Sequence, residues 1–109
     1  MNSRAKGARG ERAFRDLLRA EGYEARRGQQ FSGSPDSPDV VCPDLDWAHW
    51  EVKHVEKLNI IDAMIQAIRD AGDNKIPIVA HKRNHGEWLS TMRTSDLFKL
   101  IRKLIERPI

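Results

Sequence analysis

Asp39, Glu51 and Lys53 are the residue types that phosphate chemistry uses, and they fall close together in the chain. Glu51 and Lys53 are two residues apart, so in a strand their side chains point to the same face. The run from Ala48 to His54 reads as such a strand, with Trp50, Val52 and His54 on one face and His49, Glu51 and Lys53 on the other. Asp39 opens a compact apolar run, Asp39–Cys42, and a hairpin between the two runs brings it to the same place. Asp36 also follows a proline, but Asp39 abuts the apolar strand, which fixes its position. Carboxylate oxygens suit Mg²⁺, which takes one or two protein carboxylates and keeps its other positions for water and substrate phosphate. Such a cation generates a nucleophile from water and neutralises charge on phosphorus. A neighbouring lysine orients the water or stabilises the developing charge, and the flanking carboxylates keep it protonated. The expected chemistry is phosphodiester hydrolysis.

The elements that position these residues follow from periodicity. A first helix spans about Ala5 to Glu21, with Ala13, Phe14, Leu17 and Leu18 as its apolar stripe and Gly22 as its stop. Glu11 lies three residues before Phe14 and seven before Leu18, which turns its carboxylate toward the core side. Tyr23–Arg27 reads as a short strand, and the Gly/Ser/Pro-rich stretch from Gly28 to Pro38 as a loop. After the hairpin, Asn59 precedes a second helix over Ile60–Ala71, with Ile60, Ile61, Met64, Ile65 and Ile68 on one face and Gly72 closing it. Gln66 shares the other side of this helix with Asp62, Arg69 and Asp73. Ile76–His81 is a fourth strand that lies at an edge or begins at Pro77, which has no ladder donor. Glu87–Met92 alternates as a fifth strand. Thr94 or Ser95 then caps a last helix in which Leu97, Phe98, Ile101, Leu104 and Ile105 share a face. The order αβββαββα is an α+β layer sandwich, and 109 residues make one domain.

Composition narrows the partners. Nineteen basic residues against sixteen acidic ones give a net charge of +3. From Met1 to Gln29 the bases are Arg4, Lys6, Arg9, Arg12, Arg15, Arg19, Arg26 and Arg27, against only four acids. Arginine forks suit phosphate. The single cysteine, Cys42, excludes an internal disulfide framework and fits a reducing cytoplasm. No apolar run reaches the ~18 residues of a membrane span, and no signal-peptide core opens the chain. His49, His54, His81 and His85 lack paired zinc-ligand spacing.

The pattern Pro38–Asp39 … Glu51–Val52–Lys53 resembles the PD-(D/E)xK motif of restriction-endonuclease-like nucleases. The opening Lys6-Gly7-Ala8-Arg9-Gly10-Glu11-Arg12 is similar to the start of archaeal-type Holliday junction resolvases and of small phage endonucleases. The resemblance covers residues 6 to 82. It implies an αβββαβ restriction-endonuclease-like core with an added C-terminal strand and helix, and Mg²⁺ as cofactor with Mn²⁺ able to substitute. It further implies that Asp39, Glu51 and the Val52 carbonyl ligate the metal, that Glu11 completes the acidic site, and that Lys53 activates water. Gln66 is expected to touch the site from the second helix. Arg4, Lys6, Arg9, Arg12, Arg26 and Arg27 would hold the DNA backbone, with Ser32 and Ser34 of the loop at the substrate.

The expected function is therefore a metal-dependent DNA endonuclease, and the most specific form is a Holliday junction resolvase acting as a homodimer. A phage or mobile-element endonuclease on linear or nicked duplex DNA is the close rival. A non-catalytic nucleic-acid-binding module of the same fold is a third reading, against which the complete set Glu11, Asp39, Glu51 and Lys53 stands.

Overall fold

A computed structural model describes residues 3–28 and 38–106. Ser32 and Ser34 lie outside the described residues, as does the side chain of Arg4. The elements run α1 (Ser3–Ala20), β1 (Arg26–Arg27), β2 (Val40–Val41), a short 3-10 turn (Pro43–Leu45), β3 (Ala48–His54), α2 (Ile60–Ala71), β4 (Ile76–Lys82), β5 (Leu89–Thr91) and α3 (Thr94–Glu106). The fold is α+β, as the periodicity predicts. Five strands form one mixed sheet in the order β1-β2-β3-β4-β5. Only β3 and β4 are parallel, joined by the crossover helix α2; the other neighbours are antiparallel. Among the described residues no helix is long and apolar enough to cross a membrane.

The expected strand β4 lies inside the sheet rather than at its edge, and Pro77 sits at its beginning, where the lost donor costs least. β1 and β2 keep only two residues each, fewer than the runs around them predict. They pair in register, Arg26 with Val41 and Arg27 with Val40, and Val40 pairs with Trp50 of β3.

α1 covers one face of the sheet. Phe14 and Leu18 are buried there with Val40, Trp50, Val52, Ile78 and Ala80. Phe14 stacks at a tilt between Trp50 and Trp88, with ring centroids 5.0 and 5.2 Å away, a favoured aromatic geometry. Gly10 lets the helix approach β3 closely, since a Cβ there would stand 2.8 Å from the Cβ of His54.

α2 covers the other face with its packed side rotated from the expected stripe toward Ala63 and Ala67; of that stripe Met64, Ile60 and Ile68 still pack there. Ala63, Met64 and Ala67 pack with Val79, whereas Ile61 and Ile65 are 66% and 58% exposed. Hydropathy ranks the isoleucines first, but the two alanines let the helix lie close on the sheet. This rotation turns Gln66 inward. In α3 the expected apolar face forms, but Leu97, Phe98, Ile101, Leu104 and Ile105 are 41–76% exposed. The buried residue of its first turn is instead Asp96, held by Arg93 at 2.9 Å and Lys99 at 3.6 Å. The helix begins at Thr94 itself, so neither Thr94 nor Ser95 stands before it as a cap.

Candidate active site

The site forms where β2, β3 and α1 meet. Asp39 is fixed by three hydrogen bonds with backbone partners. Its N–H donates to the Trp50 carbonyl at 3.0 Å, its carbonyl accepts from Gly28 at 2.9 Å, and its Oδ2 accepts from the Val52 N–H at 2.9 Å. A carboxylate at the start of a two-residue strand therefore has a defined position. Its pKa is pushed up to about 7, first by burial and then by the neighbouring charge of Glu51, with a smaller contribution from Glu11. The hydrogen bond from Val52 acts in the opposite direction and is outweighed.

Glu51 lies deeper than its position in an alternating strand predicts. It is 2% exposed, because Val79, its register partner on β4, packs against Ala63 and Ala67 of α2 and so covers that face. One oxygen of Glu51, Oε1, lies 2.9 Å from His49 Nε2, and His49 is itself 2% exposed. Lys53, further along the same face, is half-buried and donates from Nζ to the amide Oε1 of Gln66 at 3.3 Å. Gln66 thus joins the cluster through the rotation of α2.

Glu11 reaches the cluster from α1. Its side chain is 12% exposed, and its Oε1 accepts from Arg27 Nε at 3.0 Å, with Nη2 also at 3.0 Å. The guanidinium of Arg27, expected at the DNA backbone, is thereby committed to Glu11. A cavity of about 260 Å³ opens between these elements, lined by Lys6, Glu11, Asp39, Val52, Lys53 and His54 among others. Arg9, Arg12 and Arg26 are exposed. The structure therefore brings together Glu11, Asp39, Glu51, Val52, Lys53, Gln66 and Lys6, and leaves Arg9, Arg12 and Arg26 on the surface around them.

The donor set is made of hard oxygens, and Glu51 lies close enough to Asp39 to hinder the ionisation of Asp39. That is the chemistry a divalent cation relieves, and Mg²⁺ needs only one or two carboxylates from the protein. Among the described residues no group of three His, Cys, Asp or Glu side chains is placed to hold a metal ion together.

Two partners were not legible in the sequence. The pairing of Arg27 with Glu11 depends on how β1 passes α1, and no motif announces it. The bond from His49 to Glu51 follows the i, i+2 rule for strands, so the spacing signalled the shared face but not the contact. Elsewhere, a basic cavity of about 470 Å³ gathers Arg69, Lys75, Arg93, Lys99 and Lys103 around Asp96, away from the carboxylates. No protein-family profile matches the chain, and no curated protein shows detectable similarity to it.

Proposed function

We propose that this protein is a divalent-metal-dependent DNA endonuclease of the PD-(D/E)xK type, using Mg²⁺ with Mn²⁺ as a substitute. The observation that supports this most is Asp39, whose carboxyl is pushed up to about 7 beside Glu51 in a cavity that also holds Lys53 and Glu11. A fold does not spend burial on mutually repelling acids without return, and perturbed acids in a cleft mark functional sites.

Asp39 and Glu51, with the Val52 carbonyl, would hold the cation. When bound, the cation lowers the pKa of a water and offsets negative charge on the phosphate. The remaining work belongs to the chain. Lys53, held by Gln66, places its side-chain nitrogen at the cavity wall, where it orients the water and faces the charge that develops on the phosphate. Glu11 adds negative charge at the edge of the cavity and is itself steadied by Arg27. Lys6 lines the same opening, and exposed Arg9, Arg12 and Arg26 supply salt-sensitive contacts to the backbone.

A four-way junction is the substrate this reading favours, and its symmetric resolution takes two copies of the chain. The uncovered face of α3 supports a homodimer. Its five apolar side chains are 41–76% exposed, and exposed apolar patches mark interaction surfaces. We assign this face to a second copy.

The test is to incubate the purified protein with four-way junction, linear duplex and single-stranded DNA, each with Mg²⁺, Mn²⁺ or EDTA. Metal-dependent cutting of the junction in preference to the others is the expected result. Equal cutting of linear duplex assigns the protein to the linear-duplex endonucleases. Binding without cutting in every metal condition refutes the enzyme and leaves a non-catalytic nucleic-acid-binding module.

A further inference from the structure

We infer that His49 is a positioning residue for the cation site: its imidazole holds Oε1 of Glu51 and so fixes which oxygen the glutamate presents. The inference rests on the metal-site reading above and goes beyond it, since no part of the Asp…Glu-x-Lys pattern includes this residue. Three observations carry it. The Nε2–Oε1 distance is 2.9 Å, a full hydrogen bond. His49 and Glu51 are each 2% exposed, so water does not compete for the contact. Both project from β3 two residues apart, on a strand held on one side by β2 and on the other by β4 along its whole length, so neither can shift along the sheet.

The consequence is a matched arrangement of the two carboxylates. Asp39 has Oδ2 tied to the Val52 N–H, and Glu51 has Oε1 tied to His49. In each residue one oxygen is held by a protein donor, which sets the plane and rotamer of the whole group. A glutamate has three side-chain torsions and loses more freedom than an aspartate when it is fixed. The backbone bond on Asp39 has its counterpart at Glu51 in a side chain brought by the same strand. Partners of this kind, behind the groups that touch a metal, orient the ligands and raise metal affinity.

The experiment measures Mn²⁺ affinity by electron paramagnetic resonance titration of the DNA-free protein, which needs no catalytic turnover. Wild type is compared with His49→Leu, which keeps the bulk and removes the donor, and with His49→Gln, whose amide can donate to Glu51. Circular dichroism and thermal melting check that each variant is folded. His49→Leu is expected to bind Mn²⁺ roughly 10- to 100-fold more weakly, and His49→Gln to recover most of that loss. Wild-type affinity in a folded His49→Leu overturns the inference and leaves the metal site standing. If His49→Leu does not fold, His49→Gln decides, with affinity within about threefold of wild type supporting the role and a loss as large as that of Glu51→Gln overturning it. Absence of Mn²⁺ binding in wild type overturns the inference together with the metal-site reading, an outcome distinct from the others.

Discussion

The ammonium of Lys53 stands 3.3 Å from the amide oxygen of Gln66, across the gap between β3 and α2. Lysine has a flexible four-carbon stem, and this contact converts it from a loose charge into a directed one. Lys53→Met is expected to lower the rate of DNA cutting by about 10²- to 10⁴-fold while leaving Mn²⁺ affinity nearly unchanged. Gln66→Leu is expected to lower it by about tenfold, because the ammonium stays but loses its direction. Single-turnover rates for the two variants and their double mutant check this. Additive losses, rather than a double mutant resembling Lys53→Met alone, would separate the two residues.

Asp39 gives the protein an unusual dependence on pH. Its carboxyl is raised from 3.8 to about 7 by burial and by Glu51, so the folded state holds this proton more tightly than the unfolded chain does. The sign follows from linkage: this group contributes full stability below about pH 4 and progressively less up to about pH 7, opposite to a salt-bridged carboxylate. The thermal midpoint without metal is expected to fall across that window, and in Asp39→Asn the fall is largely abolished. Added Mg²⁺ should raise the midpoint more at about pH 8 than at about pH 5, where the proton already removes the repulsion. Thermal melts at the two pH values read this directly, and an equal gain at both contradicts it.

Arg27 and its neighbours should behave differently in DNA binding. The Arg27 guanidinium is 40% exposed and occupied by Glu11, whereas Arg9 and Arg12 are exposed on α1. Replacing Arg9 or Arg12 by alanine is expected to reduce the slope of log affinity against log salt by about one each. Arg27→Ala is expected to leave that slope near its wild-type value and to cost at most about 1 kcal/mol of stability, as for other partly exposed pairs. Fluorescence anisotropy over a salt series separates the two groups.

Gly10 tests the packing of α1 on the sheet. In an open helix, alanine in place of glycine stabilises by about 1 kcal/mol. Here the new methyl would meet the Cβ of His54 at 2.8 Å, and neither the helix nor β3 can withdraw without disturbing Phe14 and Trp50. Gly10→Ala is therefore expected to destabilise the fold by about 1–3 kcal/mol in chemical denaturation. A stabilised variant would show that α1 sits further from the sheet.

Much of this architecture is legible in the sequence, and the exceptions have a common cause. β3 and α2 occupy the residues their patterns predict because strong alternation, an Asn59 cap and Gly72 bound them clearly. The side of α2 that packs was legible in part: Met64, Ile60 and Ile68 pack as the stripe predicts, but Ile61 and Ile65 lie open while Ala63 and Ala67 fit the close gap over Val79. The apolar face of α3 has the pattern of a core helix and lies open, because nothing in a single chain's periodicity says what covers a helix. In the site, Asp39, Glu51 and Lys53 could be read from residue type and spacing. Their supports, His49, Gln66 and Arg27, are set by tertiary contacts that spacing alone leaves open.

The measurement that bears most directly on the central claim is strand scission of a labelled four-way junction by wild type and by Asp39→Asn, in Mg²⁺ and in EDTA. Asparagine keeps the size of Asp39 and an oxygen for the Val52 N–H, so the fold is preserved while the charge is removed. The account predicts cutting by wild type in Mg²⁺, none in EDTA, and a loss of at least about 10²-fold in Asp39→Asn with junction binding retained. Cutting that persists in EDTA, or an Asp39→Asn variant as active as wild type, would contradict it.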